Sequence, residues 1–580
     1  MPCLLSPLLA LVLLAPADPV AVTRFELVEP LARAQRQAAL VAVVTNRGEA
    51  AVELSAELTG PPQVTIARYS ATAKVDAVDD AKLSFAVTAS EPGTWRLSLS
   101  LRAAGQVVAK RELDVLFLPA MAQSKPGYIP EPQPVRSKLL VGAHHCPLWE
   151  ADKPEMWNQL LVHPERTPAL GFYDQANPEI ADWETKWASE HGVDFFIYCW
   201  YRTKQGGPVE TRFSSAIEQA LLKSRYQKQM KFTIMWENQS RGTPGVADEK
   251  DLFDNLLPYW IERYFRHDSY LKVDGKPVLF IYRPEFLVQD LGSEEKVRAA
   301  FDKMRAACQA AGFKGLTLLG EYRGLDAKHL ELMKRLGLDY TFAYCWYVPN
   351  NPTPQQAIDT QMNYIRKTQE LGVLPQVVTV SQAWSGWRDE GTIWKIPPTE
   401  FKGLLRQASD FVGTLPQDQL SGRMLLLDNW NEWGEGHYIA PYREYGFGYL
   451  DAVREVIGGN TQPHADLLPQ DIGMGPYDRA YWTWRERNET ARKLAGQRIT
   501  KPGAPADGLV GWWTFDEAGD PPVALDYSGN RLGASLTQAS RAAGRDGRAM
   551  VCDGGWAVVQ DSPQLSFTDG LTIEAWVKTD

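Results

Sequence analysis

Two glutamates three residues apart, Glu432 and Glu435, are the strongest chemical signal in this sequence. They lie in the run L-L-L-D-N-W-N-E-W-G-E-G-H-Y-I-A-P at 425–441, which begins as an apolar strand and ends as a polar loop broken by glycines. Paired carboxylates can supply the general acid and the general base that cleave a glycosidic bond, and aromatic faces hold sugar rings. The segment therefore predicts carbohydrate chemistry catalysed by Glu432 and Glu435.

The backbone between the two glutamates decides whether they can share one pocket. In a strand, residues three apart point to opposite faces, whereas on a helical turn they point the same way. Glu432 and Glu435 can therefore act together only if the chain turns just after Glu432. Gly434 and Gly436 permit such a turn, because glycine tolerates backbone angles that other residues avoid. We expect one carboxyl to act as the acid and the other as the base, with pKa values separated by their surroundings.

Eight apolar runs between residues 137 and 458 alternate with segments of helical period. Continuous apolar runs are typical of parallel strands buried on both faces, and amphipathic helices would cover them. The runs are 139–143, 195–198, 232–235, 278–282, 316–319, 340–344, 376–380 and 424–427. Eight β/α units in this length predict a central (β/α)8 TIM barrel. A doubly wound open sheet is the competing fold, but no glycine-rich phosphate loop follows the first strand.

The C-terminal ends of the predicted strands carry aromatic, charged and amide side chains. Active sites of (β/α)8 barrels lie at these ends, so we predict that the side chains bind the substrate around the catalytic pair. They are His144, His145, Trp200, Tyr201, Glu237, Arg283, Glu321, Trp346, Tyr347, Trp384, Asn429, Trp433, His437 and Tyr438. For Glu237 and Glu321, membership of a structural ion pair is the alternative.

The histidines of this set raise the question of a metal. His144, His145 and His437 could be combined with Glu237 or Glu321 as ligands. Adjacent histidines on a strand point to opposite faces, however, so the first two cannot easily share an ion. We therefore predict no metal and no cofactor, and expect a histidine to hydrogen-bond to a sugar hydroxyl or to a catalytic glutamate.

Regions rich in β-strand patterns flank the predicted barrel. Residues 20–118 alternate apolar and polar residues between turns, which predicts an immunoglobulin-like β-sandwich, and a proline-rich linker follows at 119–136. Residues 459–506 are interpreted as a closing segment and linker. The runs G-L-V-G-W-W-T-F-D-E at 508–517 and L-T-I-E-A-W-V-K at 571–578 resemble laminin-G-like, concanavalin-A-like domains. That resemblance implies a partial jelly-roll β-sandwich at 507–580, and we expect this domain to continue beyond residue 580.

Composition and charge narrow the partners and the compartment. A net charge of -10 argues against nucleic acid or an anionic membrane as the main partner. An apolar run at 4–15 followed by A-P-A at 15–17 predicts a signal peptide at 1–17, and hence a secreted, periplasmic or cell-surface protein. No other stretch is long and apolar enough to span a bilayer. The remaining cysteines show no metal-site spacing and are expected to be mostly buried thiols. The oligomeric state stays open.

The segment N-E-W-G-E-G-H-Y-I-A-P at 431–441 resembles the E-W-x-E-G motif of glycoside hydrolase family 99 and of the related WbsX-like proteins. It is also similar to the motif of the family 71 α-1,3-glucanases, and D-G-K-P-V-L-F-I-Y-R-P at 274–284 resembles a fourth-strand segment of the family 99-like proteins. The resemblance covers about residues 137–457. It implies a metal-free barrel acting on α-linked sugars. Glu432 would help the sugar's 2-hydroxyl attack the anomeric carbon, and Glu435 would protonate the leaving oxygen.

This sequence departs from the family 99 pattern at Gly434, where that family has His, and at His437, where it has Thr. The departures leave the substrate and the stereochemical outcome open. We therefore expect a secreted glycoside hydrolase that cleaves an α-linked, mannan-like or glucan-like polysaccharide or glycan. Two alternatives remain, which are a non-catalytic carbohydrate-binding protein on a degenerate barrel and a glycosyltransferase-related WbsX-like protein.

Overall fold

Eight parallel strands in the described part of the chain form a ring at the centre of the protein. They are Leu140–His145, Phe195–Arg202, Lys231–Glu237, Lys276–Ile281, Thr317–Glu321, Tyr340–Phe342, Val378–Ser381 and Met424–Asp428, here called barrel strands one to eight. Strands one to six pair in chain order, and strand eight pairs with strands one and seven. Backbone hydrogen bonds from Val377 N to Thr341 O (2.8 Å) and from Thr341 N to Pro375 O (2.9 Å) join strands six and seven. The eight-stranded parallel barrel is thus confirmed.

The computed structural model describes most of the chain. Described residues are 20–77, 79–125, 127–239, 245–349, 351–386, 394–486, 499–500, 508–518, 522–537, 539–552, 555–559, 565 and 570–578. The predicted signal peptide at 1–17 lies outside these residues.

Helical segments follow the barrel strands and cover the outside of the ring. In chain order they are Pro178–Glu190, 216–223, 249–265, Leu287–Leu291 with Glu294–Ala310, Ala327–Leu336, Pro354–Leu371, Pro398–Gly413 and Gly448–Val456. Five of these helical segments begin with a side-chain cap, at Asn177, Asp248, Ser293, Asp326 and Thr353. Thr353, for example, accepts a hydrogen bond from the Gln356 backbone, while the Gln356 side chain accepts one from Thr353 N.

Side chains along the barrel strands alternate between the inside and the outside of the ring and so form two apolar layers. Phe195, Ile197 and Cys199 point into the ring, where they pack with inward residues of the other strands. Phe196 and Tyr198 point outward into the layer between strands and helices. This parity decides which strand-end side chains can reach the mouth of the barrel.

Two sheets make up the region before the barrel. One contains Val20–Leu27, Ala38–Asn46, Asp79–Ala89 and Val64–Arg68 in this order, and the other contains Ala32–Arg33, Gln106–Leu118, Gly93–Ala103, Val52–Thr59 and Ser70–Val75. Their inward residues, such as Leu40, Val87 and Leu99, form one buried cluster. The immunoglobulin-like assignment of this sandwich stays a prediction.

The C-terminal region contains two small sheets. One joins Val523–Ala524, Ala534–Thr537 and Trp556–Val559, and the other pairs Ser540–Ala543 with Arg548–Val551. The predicted strand at 571–578 has no pairing partner among the described residues, and Ile573 and Trp576 are about four-fifths exposed, at 80% and 81%. The partial jelly roll expected at 507–580 stays a prediction.

Buried arginines attach the N-terminal sandwich to the barrel. Arg33 donates to both carboxylate oxygens of Asp471, at 2.8 and 2.9 Å from its Nε, and both side chains are almost fully buried. Arg443 donates to the backbone oxygens of Leu27 and Glu29 and pairs with Glu26.

Across the described residues, each helix is too short or too polar to cross a membrane.

We expect Asp471→Asn to destabilise the chain by about 3–5 kcal/mol, because Arg33 would keep a buried charge without a counter-charge. The matched control is Asp114→Asn, which removes an exposed pair with Arg96 whose side chains are 63% and 50% accessible. The control should cost less than about 1 kcal/mol. Thermal unfolding of both variants measures the difference, and equal shifts would show that the Arg33–Asp471 pair does not stabilise the interface.

Candidate active site

A hairpin after barrel strand eight builds the candidate active site. The short strands Asn431–Glu432 and His437–Tyr438 pair antiparallel, so Glu432 lies opposite His437. One helical turn, Trp433–Glu435, joins them. The turn brings both glutamates to the same end of the barrel and confirms the bend predicted after Glu432.

Gly436 makes this hairpin possible. Its φ of 73° lies in the left-handed region that favours glycine. A Cβ atom at this position would also come within 2.6 Å of Ser385 Oγ. Of the two glycines predicted to permit the turn, Gly436 carries the left-handed conformation.

Glu432 is buried, and its carboxyl has an unusually high proton affinity. Its Oε2 accepts a hydrogen bond of 2.9 Å from the Tyr344 hydroxyl. Burial, followed by the negative charge of Glu435, raises the pKa of Glu432 from 4.5 to about 7. Hydrogen bonds from Cys146 and Tyr344 oppose the rise without cancelling it.

The pKa of Glu435, in contrast to that of Glu432, is lowered. Burial also disfavours its charge, but hydrogen bonding and charge from His437, with a bond from Trp384, lower the pKa of Glu435 below its usual value. The distances to Glu435 Oε2 are 3.3 Å from His437 Nε2 and 3.2 Å from Trp384 Nε1. In the absence of substrate, Glu435 is therefore the ionised member of the pair and Glu432 holds its proton up to about neutral pH.

His437 causes much of the difference between the pKa values of Glu432 and Glu435. Its ring is fully buried, and Nδ1 donates to Asp428 Oδ1 at 2.7 Å. The other oxygen of Asp428 accepts from the Ser381 hydroxyl at 2.6 Å. Burial favours the neutral ring, but the charge and hydrogen bond of Asp428 and those of Glu435 outweigh it and raise the pKa of His437 to about 10. His437 is thus an imidazolium held between two carboxylates, and neither ring nitrogen is available to a metal.

A second charged cluster lies at the ends of strands four and five. Glu321 accepts hydrogen bonds from Arg283 Nη1 at 2.5 Å and from Arg323 Nε at 2.8 Å. Arg323 also donates to the Tyr282 hydroxyl at 3.1 Å and to Cys345 Sγ at 2.7 Å. The predicted residues Arg283 and Glu321 therefore meet, and the structural ion-pair role considered for Glu321 is confirmed.

Glu237 lies near this cluster at the end of strand three. Burial raises the pKa of Glu237 to about 7, while hydrogen bonding with Gln239 and the charge of Arg283 lower it and the charge of Glu321 raises it. Its Oε1 is buried and has no hydrogen-bond partner among the described residues. Glu237 can therefore offer a neutral carboxyl to a ligand.

Trp384 and Tyr347 form the accessible aromatic surface beside Glu435. Their rings meet edge to face, with centroids 6.1 Å apart, and Tyr347 is 52% exposed.

Tyr201 points into the barrel, as its sequence parity with Cys199 requires, and its side chain packs on Phe213 with ring centroids 5.4 Å apart.

Five predicted substrate contacts are corrected by the structure. His145, Trp200, Trp346, Trp433 and Tyr438 are buried in the layer outside the barrel or around the hairpin. Their polar atoms bond away from the mouth, for example Trp200 Nε1 to Tyr264, Trp346 Nε1 to Thr379 O and His145 Nε2 to Glu184. For His145 and Trp200 the reason is strand parity, since each strand residue faces the side opposite to its neighbours. Trp346 lies beyond the end of strand six, and Trp433 and Tyr438 belong to the packed hairpin.

His144 points into the ring, opposite to His145, as predicted. It contacts the rings of Phe342 and Tyr344, with centroids 5.5 and 5.1 Å away. Burial lowers the pKa of His144 to about 3, so the ring is neutral. The His144 ring packs against Tyr344, whose hydroxyl donates a hydrogen bond to Glu432.

Two amides at this end of the barrel have no partner. Asn429 follows Asp428, and Gln382 follows Ser381. Both are fully buried, and neither the oxygen nor the nitrogen of either amide has a hydrogen-bond partner among the described residues. Because a buried polar group without a partner is costly, these amides are candidates for contacts with a bound ligand. This agrees with the prediction for Asn429, whereas Gln382 was not predicted.

A family comparison adds to this geometry. The family profile described as "Glycosyltransferase WbsX" matches residues 162–389 and 366–453, which together span half of the chain. The chain belongs to the WbsX family. The matched region runs from before barrel strand two through the hairpin that carries Glu432 and Glu435.

Individual relatives are more distant. The chain is 25% identical over 330 residues to a protein of Xanthomonas campestris pv. campestris strain B100 named "Uncharacterized protein WxcX". The match covers 50% of this chain and 43% of that protein, so the chain spans less than half the length of this relative. The counterpart in strain ATCC 33913 gives the same values.

Among solved structures, this WbsX-family chain is similar to the GH99 endo-alpha-mannosidase of Bacteroides thetaiotaomicron in complex with BIS-TRIS-Propane. The identity is 15%, the TM-score is 0.39, and the match covers 55% of this chain and 96% of that one. A second structure of that enzyme gives a TM-score of 0.35 at 15% identity.

Several residues of the candidate site in this WbsX-family chain were not predicted from the sequence. Tyr344 shares inward parity with Phe342, which could have indicated it. Arg323 lies two residues beyond strand five and could have been included with the strand ends. The contact between Asp428 and His437 had no signal in sequence, because it depends on the hairpin geometry.

We expect Glu432→Gln to stabilise the chain at alkaline pH. The folded pKa of Glu432 is raised above 4.5 to about 7, so its stabilising contribution is present below pH 4.5 and is lost as pH rises through about 7. Glutamine does not titrate, and the stability gain of the variant should therefore grow between about pH 5 and about pH 8. Thermal melts over this range measure the gain.

The control for that experiment is Glu57→Gln, at an exposed position of the sandwich. Its difference from the wild type should be independent of pH. A gain for Glu432→Gln that does not change with pH would show that Glu432 has no raised pKa.

Proposed function

We propose that this WbsX-family chain is a glycoside hydrolase that cleaves an α-linked glycan with Glu432 and Glu435. The observation that supports the proposal most directly is the pair of carboxylates at the mouth of the barrel, Glu432 buried and Glu435 partly buried, whose pKa values are shifted in opposite directions. Two carboxyl groups with separated pKa values are what acid–base cleavage of a glycosidic bond requires. The α-linkage and the mannan-like or glucan-like substrate rest on the motif resemblance.

Glu435 has a proton source in contact with it, which supports its role as the acid. His437 is protonated and hydrogen-bonded to Glu435 Oε2 through Nε2. Transfer of this proton to Glu435 leaves a neutral ring that still donates from Nδ1 to Asp428. The carboxyl can then protonate the leaving oxygen of the scissile bond.

Glu432 would act as the base, on the sugar's 2-hydroxyl or on water. This role requires the ionised carboxylate, whereas the raised pKa keeps part of it protonated near neutral pH. The hydroxyl of Tyr344 donates to Oε2 and would stabilise the charge when the proton leaves.

Binding groups around the pair support a carbohydrate rather than an apolar ligand. Trp384 and Tyr347 offer ring surfaces, and Asn429, Gln382 and Glu237 offer buried polar atoms that have no hydrogen-bond partner in the described part of the chain. Sugars present both apolar faces and hydroxyl groups, so they match this combination. With the predicted signal peptide, the substrate would be an extracellular or periplasmic glycan.

The family description favours glycosyl transfer as the second candidate. A transferase would consume a sugar donor and lengthen an acceptor, whereas a hydrolase releases reducing ends from a glycan and water alone. A binding protein on a degenerate barrel would give neither product.

We expect the wild type to release reducing ends from at least one member of a panel of α-mannans and α-glucans. Glu435→Gln should lower turnover about 10²- to 10⁴-fold, the usual contribution of general acid–base catalysis, while sugar binding persists. Glu57→Gln should retain wild-type activity. Full activity of Glu435→Gln would contradict the assignment, and sugar-donor-dependent product without hydrolysis would favour the transferase.

The pH profile distinguishes the roles of the two carboxyls. If Glu432 is the base, kcat/KM should rise as pH increases through about 7, because the pKa of the free Glu432 is about 7. If Glu432 is instead the acid, kcat/KM should fall over the same range. The measurement is kcat/KM on the best substrate of the panel across this pH range.

Two substitutions of Trp384 distinguish the contribution of its aromatic face from that of its N–H group. Trp384→Phe keeps an aromatic face but removes the donor to Glu435, so the pKa of Glu435 should rise and the pH dependence of kcat should shift with little change in KM. Trp384→Ala removes the face as well and should weaken sugar binding by about 1–2 kcal/mol, as expected for loss of an aromatic contact. Equal binding constants for both variants would exclude stacking of the sugar on Trp384.

A further inference from the structure

A second cluster of titratable side chains lies at the end of the barrel opposite to the mouth. His191 follows the helix Pro178–Glu190 and precedes strand two, whose N-terminal end begins at Phe195. His464 and Asp466 belong to the segment that follows the last barrel helix. These three residues take no part in the proposed catalysis.

The ligand atoms of this cluster lie at distances typical of groups that share a metal ion. His191 Nε2 is 3.4 Å from Asp466 Oδ1, and His464 Nε2 is 3.5 Å from the same oxygen. Three atoms, one from each residue, lie within 4.8 Å of one another, and in the described ranges they form the one such group of three. For zinc, bonds of about 2.0–2.2 Å in a tetrahedron give ligand–ligand edges of about 3.3–3.6 Å.

The orientation of His191 supports a ligand role. Its ring is fully buried, and Nδ1 donates to the Trp187 carbonyl at 2.6 Å. This bond fixes the ring and directs Nε2 towards Asp466, as the outer hydrogen bond of a metal-binding histidine does.

The remaining contacts of Nε2 are too long for good hydrogen bonds. Asp451 Oδ1 is 3.6 Å away and Asp466 Oδ1 is 3.4 Å away, compared with about 2.7–3.2 Å for an N–H···O bond. The buried Nε2 and the Asp466 oxygen thus face each other across a gap without a well-formed bond. An ion between them would satisfy both.

We propose that His191, His464 and Asp466 bind a divalent transition-metal ion, with zinc as the best match. Two imidazoles and one carboxylate are ligands that zinc accepts. Water would be the fourth ligand, and Glu190 Oε2, 3.2 Å from His464 Nε2, lies beside the ring of that histidine. The partly exposed ring of His464 gives the ion a path to the site.

The ion would fasten the segment after the barrel to the end of the first helix. The same segment reaches the N-terminal sandwich, because the backbone oxygen of Asp466 accepts from Arg33 Nη2 at 2.5 Å. Metal binding would therefore stabilise the junction between barrel and sandwich without changing the catalytic carboxylates.

The test measures zinc binding to the full chain after removal of metal with a chelator. Isothermal titration with Zn²⁺ should give one tight equivalent per chain, and Co²⁺ should give the visible absorption of a tetrahedral site. The melting temperature should rise with Zn²⁺ and fall again with the chelator. The variants His464→Gln and Asp466→Asn should each weaken binding at least about 10-fold, since even the loss of an outer partner of a ligand costs that much.

His329→Gln is the matched control, because His329 stacks on Tyr322 outside the cluster. It should bind zinc as the wild type does. Asp466→Asn keeps the size of the side chain and the backbone bond to Arg33, so it separates loss of a ligand from misfolding, and circular dichroism checks the fold. Absence of a tight equivalent in the wild type, or unchanged binding in both cluster variants, would overturn the proposal.

Discussion

The buried imidazolium of His437 is the interaction on which the candidate site depends. Two carboxylates, Asp428 and Glu435, lie on either side of it, and a third, Glu432, lies opposite it in the hairpin. Without a cation, these carboxylates, of which Asp428 and Glu432 are buried and Glu435 is partly buried, would repel one another and take up protons. A charged ring between two of them keeps Glu435 ionised and leaves Glu432 with its proton. The same arrangement therefore shifts the pKa values of Glu432 and Glu435 in opposite directions.

The fold supplies this arrangement through ordinary rules of barrel geometry. Strand eight ends at Asp428, and Ser381 at the end of the neighbouring strand seven binds its second oxygen. The hairpin then returns His437 beside Asp428, which requires the left-handed backbone at Gly436. Inward residues of other strands, such as Tyr344, complete the contacts of Glu432. Function is thus concentrated where one hairpin folds over the mouth of a closed ring.

Sequence reasoning predicted the barrel and the meeting of Glu432 and Glu435 at its mouth but not the full lining of the site. Continuous apolar runs located all eight barrel strands, because strands buried on both faces leave that pattern. The assignment of Trp200 and Trp346 to the sugar was wrong, since position at a strand end was used without the parity of the strand. Parity relative to Phe195 would have placed Trp200 outside and Tyr201 inside. The contacts of His437, and the cluster of His191 with His464 and Asp466, join distant residues and need the tertiary structure.

The protonation state of His437 tests the central claim most directly. Nitrogen NMR of the chain labelled at its 8 histidines, with His437→Gln to assign the signal, reports whether both ring nitrogens carry protons. With the pKa of His437 at about 10, the ring should remain an imidazolium at about pH 8, and Asp428→Asn should return it towards an ordinary histidine. A His437 ring that is already neutral at about pH 8 in the wild type would contradict the account.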